Sequence, residues 1–206
     1  MIVNSVQVYK GSTFEITIDD RKIYLHKDIV ADYGIKAMTQ ISQERVEEII
    51  AASEKRKAFE RGMYLLDYRD YSYKELFEKL SSSYDEDICF YVADRLAQLG
   101  IINDRRYAEN LARKYIEVKK YGPYRASMEM YRKGINRELI DEILEKYCEN
   151  TTDVLYDLVM KKYSSYLGDR DKLRKMKNAL VRLGYSFDDI NTVVRMCECP
   201  DDDEYN

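Results

Sequence analysis

Over the first 26 residues the apolar positions fall on every second place. Phe14, Ile16 and Ile18 share one side, and Ile23 and Leu25 resume it after the polar run Asp19-Asp20-Arg21-Lys22. A period of two puts alternate side chains on one face of an extended chain, so this stretch predicts a β-hairpin, with a further strand over residues 2–9. The period then lengthens. Residues 28–33 predict a short helix ending at Gly34, and Ser42 is placed to cap a helix carrying Val46, Ile49 and Ile50. At the charged stretch Glu54-Lys55-Arg56-Lys57 two courses are open: the helix runs on into the next unit, or it breaks there.

Beyond this point apolar residues recur at helical spacing in groups of three. Ala58, Leu65 and Leu66, then Leu76 and Leu80, then Ile88, Val92, Leu96 and Leu99 mark three successive helices, the last stopped by Gly100. Ser72 and Glu75 have capping-box spacing, in which the serine hydroxyl takes an orphan amide and the glutamate reaches back to the Ser72 amide. The plan repeats from Asn103 or Asp104, where Tyr107, Ala108, Leu111, Ala112, Tyr115 and Ile116 form a stripe. The chain turns on Gly122, opens a helix with Pro123, where a missing N–H costs nothing, and closes it at Gly134. Asn136 caps the next helix, which carries Leu139, Ile140, Ile143 and Leu144. A third group follows through Leu155, Leu158 and Val159, a basic helix over residues 169–183, and Ile190, Val193 and Val194 behind a second capping box at Ser186 and Asp189.

Starts near Lys57, Asp104 and Thr152 give a period of about 48 residues, in the range of stacked helical repeats. The expected fold is mainly α: tandem three-helix repeats in an elongated curved array, with a small N-terminal β-hairpin plus helix. The expected segments are residues 1–56 for the hairpin and helix, 57–103, 104–151 and 152–199 for the three repeats, and 200–206 for an acidic tail. Two prolines and eight glycines in 206 residues, with 35% of positions charged, favour long helices over a turn-rich β fold.

Candidate chemistry is sparse. His26 is the sole histidine and sits in the strand-like stretch, with no nucleophile motif beside it. No Gly-rich phosphate loop or H-E-x-x-H helix occurs, so no enzyme and no catalytic or cofactor-binding residue is expected. Cys89, Cys148, Cys197 and Cys199 are scattered along a chain with no export signal and are expected as reduced thiols. Cys197 and Cys199 stand too close, with no second pair, for a zinc site. No run of about 18 apolar residues is present, and a soluble, cytoplasmic protein is expected.

Charge changes the picture more. The net charge of −4 conceals segregation: residues 105–137 hold ten Lys/Arg against three Asp/Glu, and residues 161–182 hold eight against two. Residues 138–157 carry seven acidic groups and one lysine, and Glu198, Asp201, Asp202, Asp203 and Glu204 close the chain. Arg125 and Arg132 lie seven residues apart on nearly one helix face, with Tyr124, Met128 and Tyr131 alongside. Cations interleaved with aromatic rings suit an acidic protein surface, phosphates or stacked bases. The partner-binding candidates are therefore Lys119, Lys120, Tyr124, Arg125, Tyr131, Arg132 and Lys133, extended by Lys172, Lys175 and Arg182 on the third repeat. The competing reading makes these residues a solvated face, with the tyrosines packed against neighbouring repeats.

These residues resemble a known family, the RecX regulatory proteins that modulate the RecA recombinase. The likeness rests on Ala58 to Leu66 followed by Arg69, Tyr71-Ser72, Glu75-Leu76 and Leu80; on Leu96, Leu99-Gly100-Ile101, Asp104 and Tyr107-Ala108; and on Lys120, Gly122-Pro123 and Lys133-Gly134-Ile135. Gly62, Ala126 and Met130 depart from its usual residues, Gly62 at about 1 kcal/mol relative to Ala in a helix interior. The resemblance implies a non-enzymatic protein that binds RecA filaments on single-stranded DNA, lies in the filament groove and limits strand exchange or filament growth. The alternative is a stand-alone nucleic-acid-binding repeat protein whose affinity falls steeply with salt. A monomer without a membrane partner is expected, although an exposed hairpin edge is able to pair with another copy.

Overall fold

A computed structural model describes residues 1–148 and 150–198; the predicted acidic tail at 200–206, and Cys199 before it, lie outside the described residues. The chain divides into two compact units, Met1–Arg69 with Leu76–Ile101, and Asp70–Glu75 with Ile102–Asn206.

In the first unit the alternating stretch forms three antiparallel strands, β1 (Ile2–Lys10), β2 (Thr13–Ile18) and β3 (Arg21–His26). A two-residue β4 (Thr39–Gln40) completes a sheet of order β3-β2-β1-β4. The register sets Ile16 opposite Ile23 and Phe14 opposite Leu25, so the apolar set of the hairpin shares one face. Val3, Ile16, Ile18 and Leu25 on that face form a core with Ile29 of α1 (Lys27–Asp32) and with Val46 and Ile49 of α2 (Gln43–Tyr68). His26 is the cap of α1, its Nδ1 accepting the Asp28 amide at 3.2 Å.

Helix α2 runs 26 residues without a break and so carries the charged stretch through. Its solvent side is laced by Lys57–Glu54 and Arg56–Glu60 pairs at 2.9 and 3.0 Å, one helical turn apart. α3 (Tyr73–Leu80) and α4 (Glu86–Gln98) follow. The glycine at position 62 now has a reason. A Cβ there would stand 3.0 Å from Leu96 Cδ1 and 3.4 Å from Val92 Cγ1, both fully buried, so glycine lets α2 and α4 approach closely.

The second unit contains α5 (Asp104–Ala112), continued by a π-helical turn over Arg113–Val118, then α6 (Pro123–Arg132), α7 (Arg137–Cys148), α8 (Thr151–Tyr163), α9 (Arg170–Leu183) and α10 (Phe187–Glu198). Two of its caps are those the sequence proposes, Asn136 accepting the Leu139 amide and Ser186 the Asp189 amide, and at the unit's start Asn103 accepts the Arg106 amide. Only half of the Ser72 box forms. The Glu75 amide donates to Ser72 Oγ at 3.1 Å, while the Glu75 carboxylate turns to Lys133 and Tyr107. Two cores lie here. One joins α5, α6 and α7 around Leu111, Met130 and Ile140, the other joins α8, α9 and α10 around Leu155, Leu180 and Ile190. Ala126 and Met130, the two substitutions in the central helix, are fully buried in the first. No helix among the described residues is long and apolar enough to cross a membrane.

Candidate partner-binding surface

The basic strip is built on a corner where two helices of the second unit meet. Gly184 ends α9 in the left-handed region at φ +93°, and a Cβ there would strike Arg125; a Cβ on Gly122 would overlap the backbone of Gly184. The Gly122 amide donates to the Leu183 carbonyl at 2.8 Å. With both corners stripped to hydrogen, the start of α6 lies against the end of α9. Arg125 Nη1 donates to the Arg182 carbonyl at 3.0 Å and its guanidinium stands 4.1 Å over the Tyr121 ring. A cation thereby meets the carbonyl end of a 14-residue helix, where partial negative charge accumulates.

This junction collects Tyr124, Arg125, Met128, Glu129 and Arg132 of α6, with Val181, Arg182 and Gly184 of the α9 end, around one open cleft of ≈ 330 Å³. Tyr124 is 73% exposed, and the Arg132 side chain stays 67% exposed beside a single Glu129 partner at 3.3 Å. Three arginines and one glutamate line it, and of these Arg132 pairs with Glu129. The lining offers planar cation forks and a ring for stacking, and no histidine, cysteine or serine.

Four of the ten sequence candidates therefore meet: Tyr124, Arg125, Arg132 and Arg182. The other six go elsewhere. Lys119 lies 5.2 and 5.4 Å from the Tyr115 and Tyr121 rings. Lys120, at φ +55°, gives its carbonyl to the Tyr185 hydroxyl at 3.2 Å and lines a separate cavity with Tyr147 and Tyr185. Tyr131 carries Arg137 at 5.2 Å from its ring. Lys172 pairs with Asp169 at 3.5 Å, and Lys175 is exposed on α9 away from the cleft lining.

Lys133 is the clearest departure. Its ammonium holds Glu75 at 2.9 Å, Glu75 also accepts from the Tyr107 hydroxyl at 3.0 Å, and the Lys133 carbonyl takes Ser72 Oγ at 2.6 Å. Gly134 beside it leaves no space for a Cβ against Ser72 and Lys74. In the same corner Asp104 accepts the Tyr73 amide at 2.8 Å, and burial raises its carboxyl above the ordinary range. Lys133 is thus a joint within the second unit. The sequence pattern sets Met128 alongside Arg125 and Arg132, whereas Glu129 is not singled out by it although its spacing puts it on the same side of α6. Gly184 follows directly on the basic helix of residues 169–183, but its contact with Gly122 spans too many residues for local pattern to show.

Sequence descriptions of the first and second three-helix domains of RecX match residues 58–96 and 103–144. A regulatory protein RecX of Clostridioides difficile (strain 630) is 30% identical over 184 residues, covering 87% of this chain and 86% of that protein. One of Chlorobium phaeobacteroides (strain BS1) is 35% identical over 127 residues, covering 61% and 83%. A crystal structure of regulatory protein RecX shares the fold, with a TM-score of 0.73 at 20% identity over 96% of this chain and 98% of that one. The crystal structure of RecX from Lactobacillus salivarius gives a TM-score of 0.66 at 27% identity over 71% and 98%. Two matched domains in order, and a relative aligned along most of both chains, establish that this chain belongs to the RecX family of regulatory proteins.

Proposed function

We propose that this chain is a non-enzymatic cytoplasmic regulator that binds RecA recombinase filaments on single-stranded DNA and restrains recombinase activity in DNA repair and recombination. The observation that carries the proposal is the cleft: in a chain of the RecX family, three arginines and an exposed tyrosine from two helices converge on one open surface. Guanidiniums set around a ring suit carboxylates of an acidic protein face or phosphates of a bound strand, by bidentate pairing and by stacking.

The test is RecA ATPase on single-stranded DNA, titrated with this protein. Suppression at substoichiometric ratios, lost in an Arg132→Glu/Arg182→Glu variant that keeps its helicity, is the expected result. An unaffected ATPase refutes the proposal, and full suppression by the double variant removes the cleft from the interface. The three guanidiniums equally fit phosphate alone, which keeps a second reading in play: direct binding to nucleic acid without a recombinase. That binding weakens steeply between about 50 and 200 mM salt. A gel-shift series over this range, with and without RecA, separates the two readings.

A further inference from the structure

The N-terminal sheet has two edges, and they differ. On the outer side of β1 the short β4 pairs only with Ile2 and Val3, so among the described residues no strand pairs with Asn4 to Lys10 there. Between two register shifts, Ser5, Val6, Gln7 and Val8 pair one to one with β2, which makes this a regular ladder with one side open. Val8 is 67% and Tyr9 62% exposed. Across Ile2–Lys10 the sole charge is Lys10, there is no proline or glycine, and three of nine residues are valine. That composition pairs readily with another strand, and an uncovered edge of this kind is a template for one. The opposite edge, β3, begins Arg21-Lys22 and so carries the charges that discourage pairing.

We infer that the open edge of β1 is a docking site for β1 of a second copy of this chain. The strand complements itself. In a two-fold antiparallel pair centred on Gln7, each Val6 lies opposite the partner copy's Val8 and each Lys10 opposite an asparagine, so no like charges meet. Val6 and Val8 pair across β2 with Ile16 and Phe14, which belong to the core face of the sheet. The added strand therefore continues the apolar layer and covers the exposed Val8. Gln7 lies over Glu15, on the other face, where its amide meets its own copy. A ladder this short makes a small interface, so the dimer forms with rising concentration rather than permanently.

Sedimentation velocity over about 1–500 µM tests this, together with Val8→Lys, which adds a charge to the edge, and Gln7→Cys, which sits at the two-fold centre. The expected results are a concentration-dependent dimer, a dissociation constant at least tenfold higher for Val8→Lys with unchanged far-UV circular dichroism, and intermolecular disulfide in Gln7→Cys forming at least tenfold faster than in the unsubstituted chain or in Lys22→Cys on the other edge. A monomer throughout the range, a dimer that Val8→Lys leaves intact, or equal cross-linking at positions 7 and 22 overturns the inference. None of these outcomes bears on the arginine cleft.

Discussion

Arg125 and Arg132 look alike in the sequence, yet the structure gives them different burdens, and replacing each by alanine exposes the difference. Arg125 makes a charge-assisted hydrogen bond to the Arg182 carbonyl at 3.0 Å, stacks at 4.1 Å on Tyr121, and lays its stem on Gly184. The bond is exposed, which places it near about 1 kcal/mol. The ring contact adds about 0.5–1 kcal/mol and the buried methylenes a further few tenths. Arg125→Ala should therefore cost about 2 kcal/mol. Arg132, itself exposed, has one partner in its own helix, Glu129 at 3.3 Å, and its loss should cost under about 0.5 kcal/mol.

Urea unfolding followed by far-UV circular dichroism reads this out. With a slope of about 2 kcal/mol per molar, Arg125→Ala lowers the midpoint by about 1 M, whereas Arg132→Ala moves it by about 0.2 M or less. Hydrogen exchange at the end of α9 should accelerate in the first variant alone, since only there does a helix terminus lose its cation. Equal midpoints for the two variants would refute the argument that Arg125 is a structural cap. The outcome matters for function as well. A charge reversal at Arg125 conflates binding with folding, so the filament test belongs on Arg132 and Arg182.

Gly184→Ala should destabilise by more than about 3 kcal/mol, because the new methyl meets Arg125 backbone and Cβ and the position requires φ +93°; a urea midpoint within error of the parent would contradict the interlocked corner. Burial raises the Asp104 carboxyl, so the folded chain holds that proton more tightly than the unfolded one, and this group's share of stability falls as pH rises from the ordinary carboxylate range through the folded value. Asp104→Asn keeps an acceptor for the Tyr73 amide, so it should equal or exceed the parent at pH ~7 and lose that advantage below pH ~4; lower stability at both pH values would reject the assignment. Burial pushes the Tyr185 hydroxyl up to about 12, so stability should decline between pH ~10 and that value as unfolded tyrosine ionises first. Tyr185→Phe should flatten part of this decline while costing about 1 kcal/mol for the bond to the Lys120 carbonyl, and an unchanged alkaline slope would count against it.

Local signals carried much of the fold. Period-two alternation placed β2 and β3, and caps at Ser42, Asn136 and Ser186 placed helix starts, because each such bond spans only three residues. The failures are non-local. β4 is two residues long and exists only because β1 offers it an edge, so no pattern marks it. Glu75 lies 58 residues from Lys133, and Arg125 lies 57 from the carbonyl it caps. Periodicity showed which side of a helix is polar, but not which polar groups the chain would use on itself.

That distinction separates the residues that carry the family likeness from those free to meet a partner. Gly122 is required by backbone approaching without a Cβ, Gly134 by its φ of +81° and the Ser72 and Lys74 side chains packed on it, and Lys133 by the Glu75 carboxylate held at 2.9 Å, with only 16% of the Glu75 side chain exposed. Replacing Lys133 by methionine would remove its ammonium from the half-buried Glu75 carboxylate, a folding cost of about 1–3 kcal/mol whatever the partner. A motif whose members are consumed in this way marks where the repeats turn, and an interface on it would have to break those contacts before making its own. Arg132, Arg182 and Tyr124 carry no such debt: their heads are exposed, and their alignment follows from the corner that the motif residues hold closed. Rigid joints and exposed cations are thus two consequences of one packing arrangement, and a substitution in the joint should weaken partner binding only to the degree that it first loosens the fold.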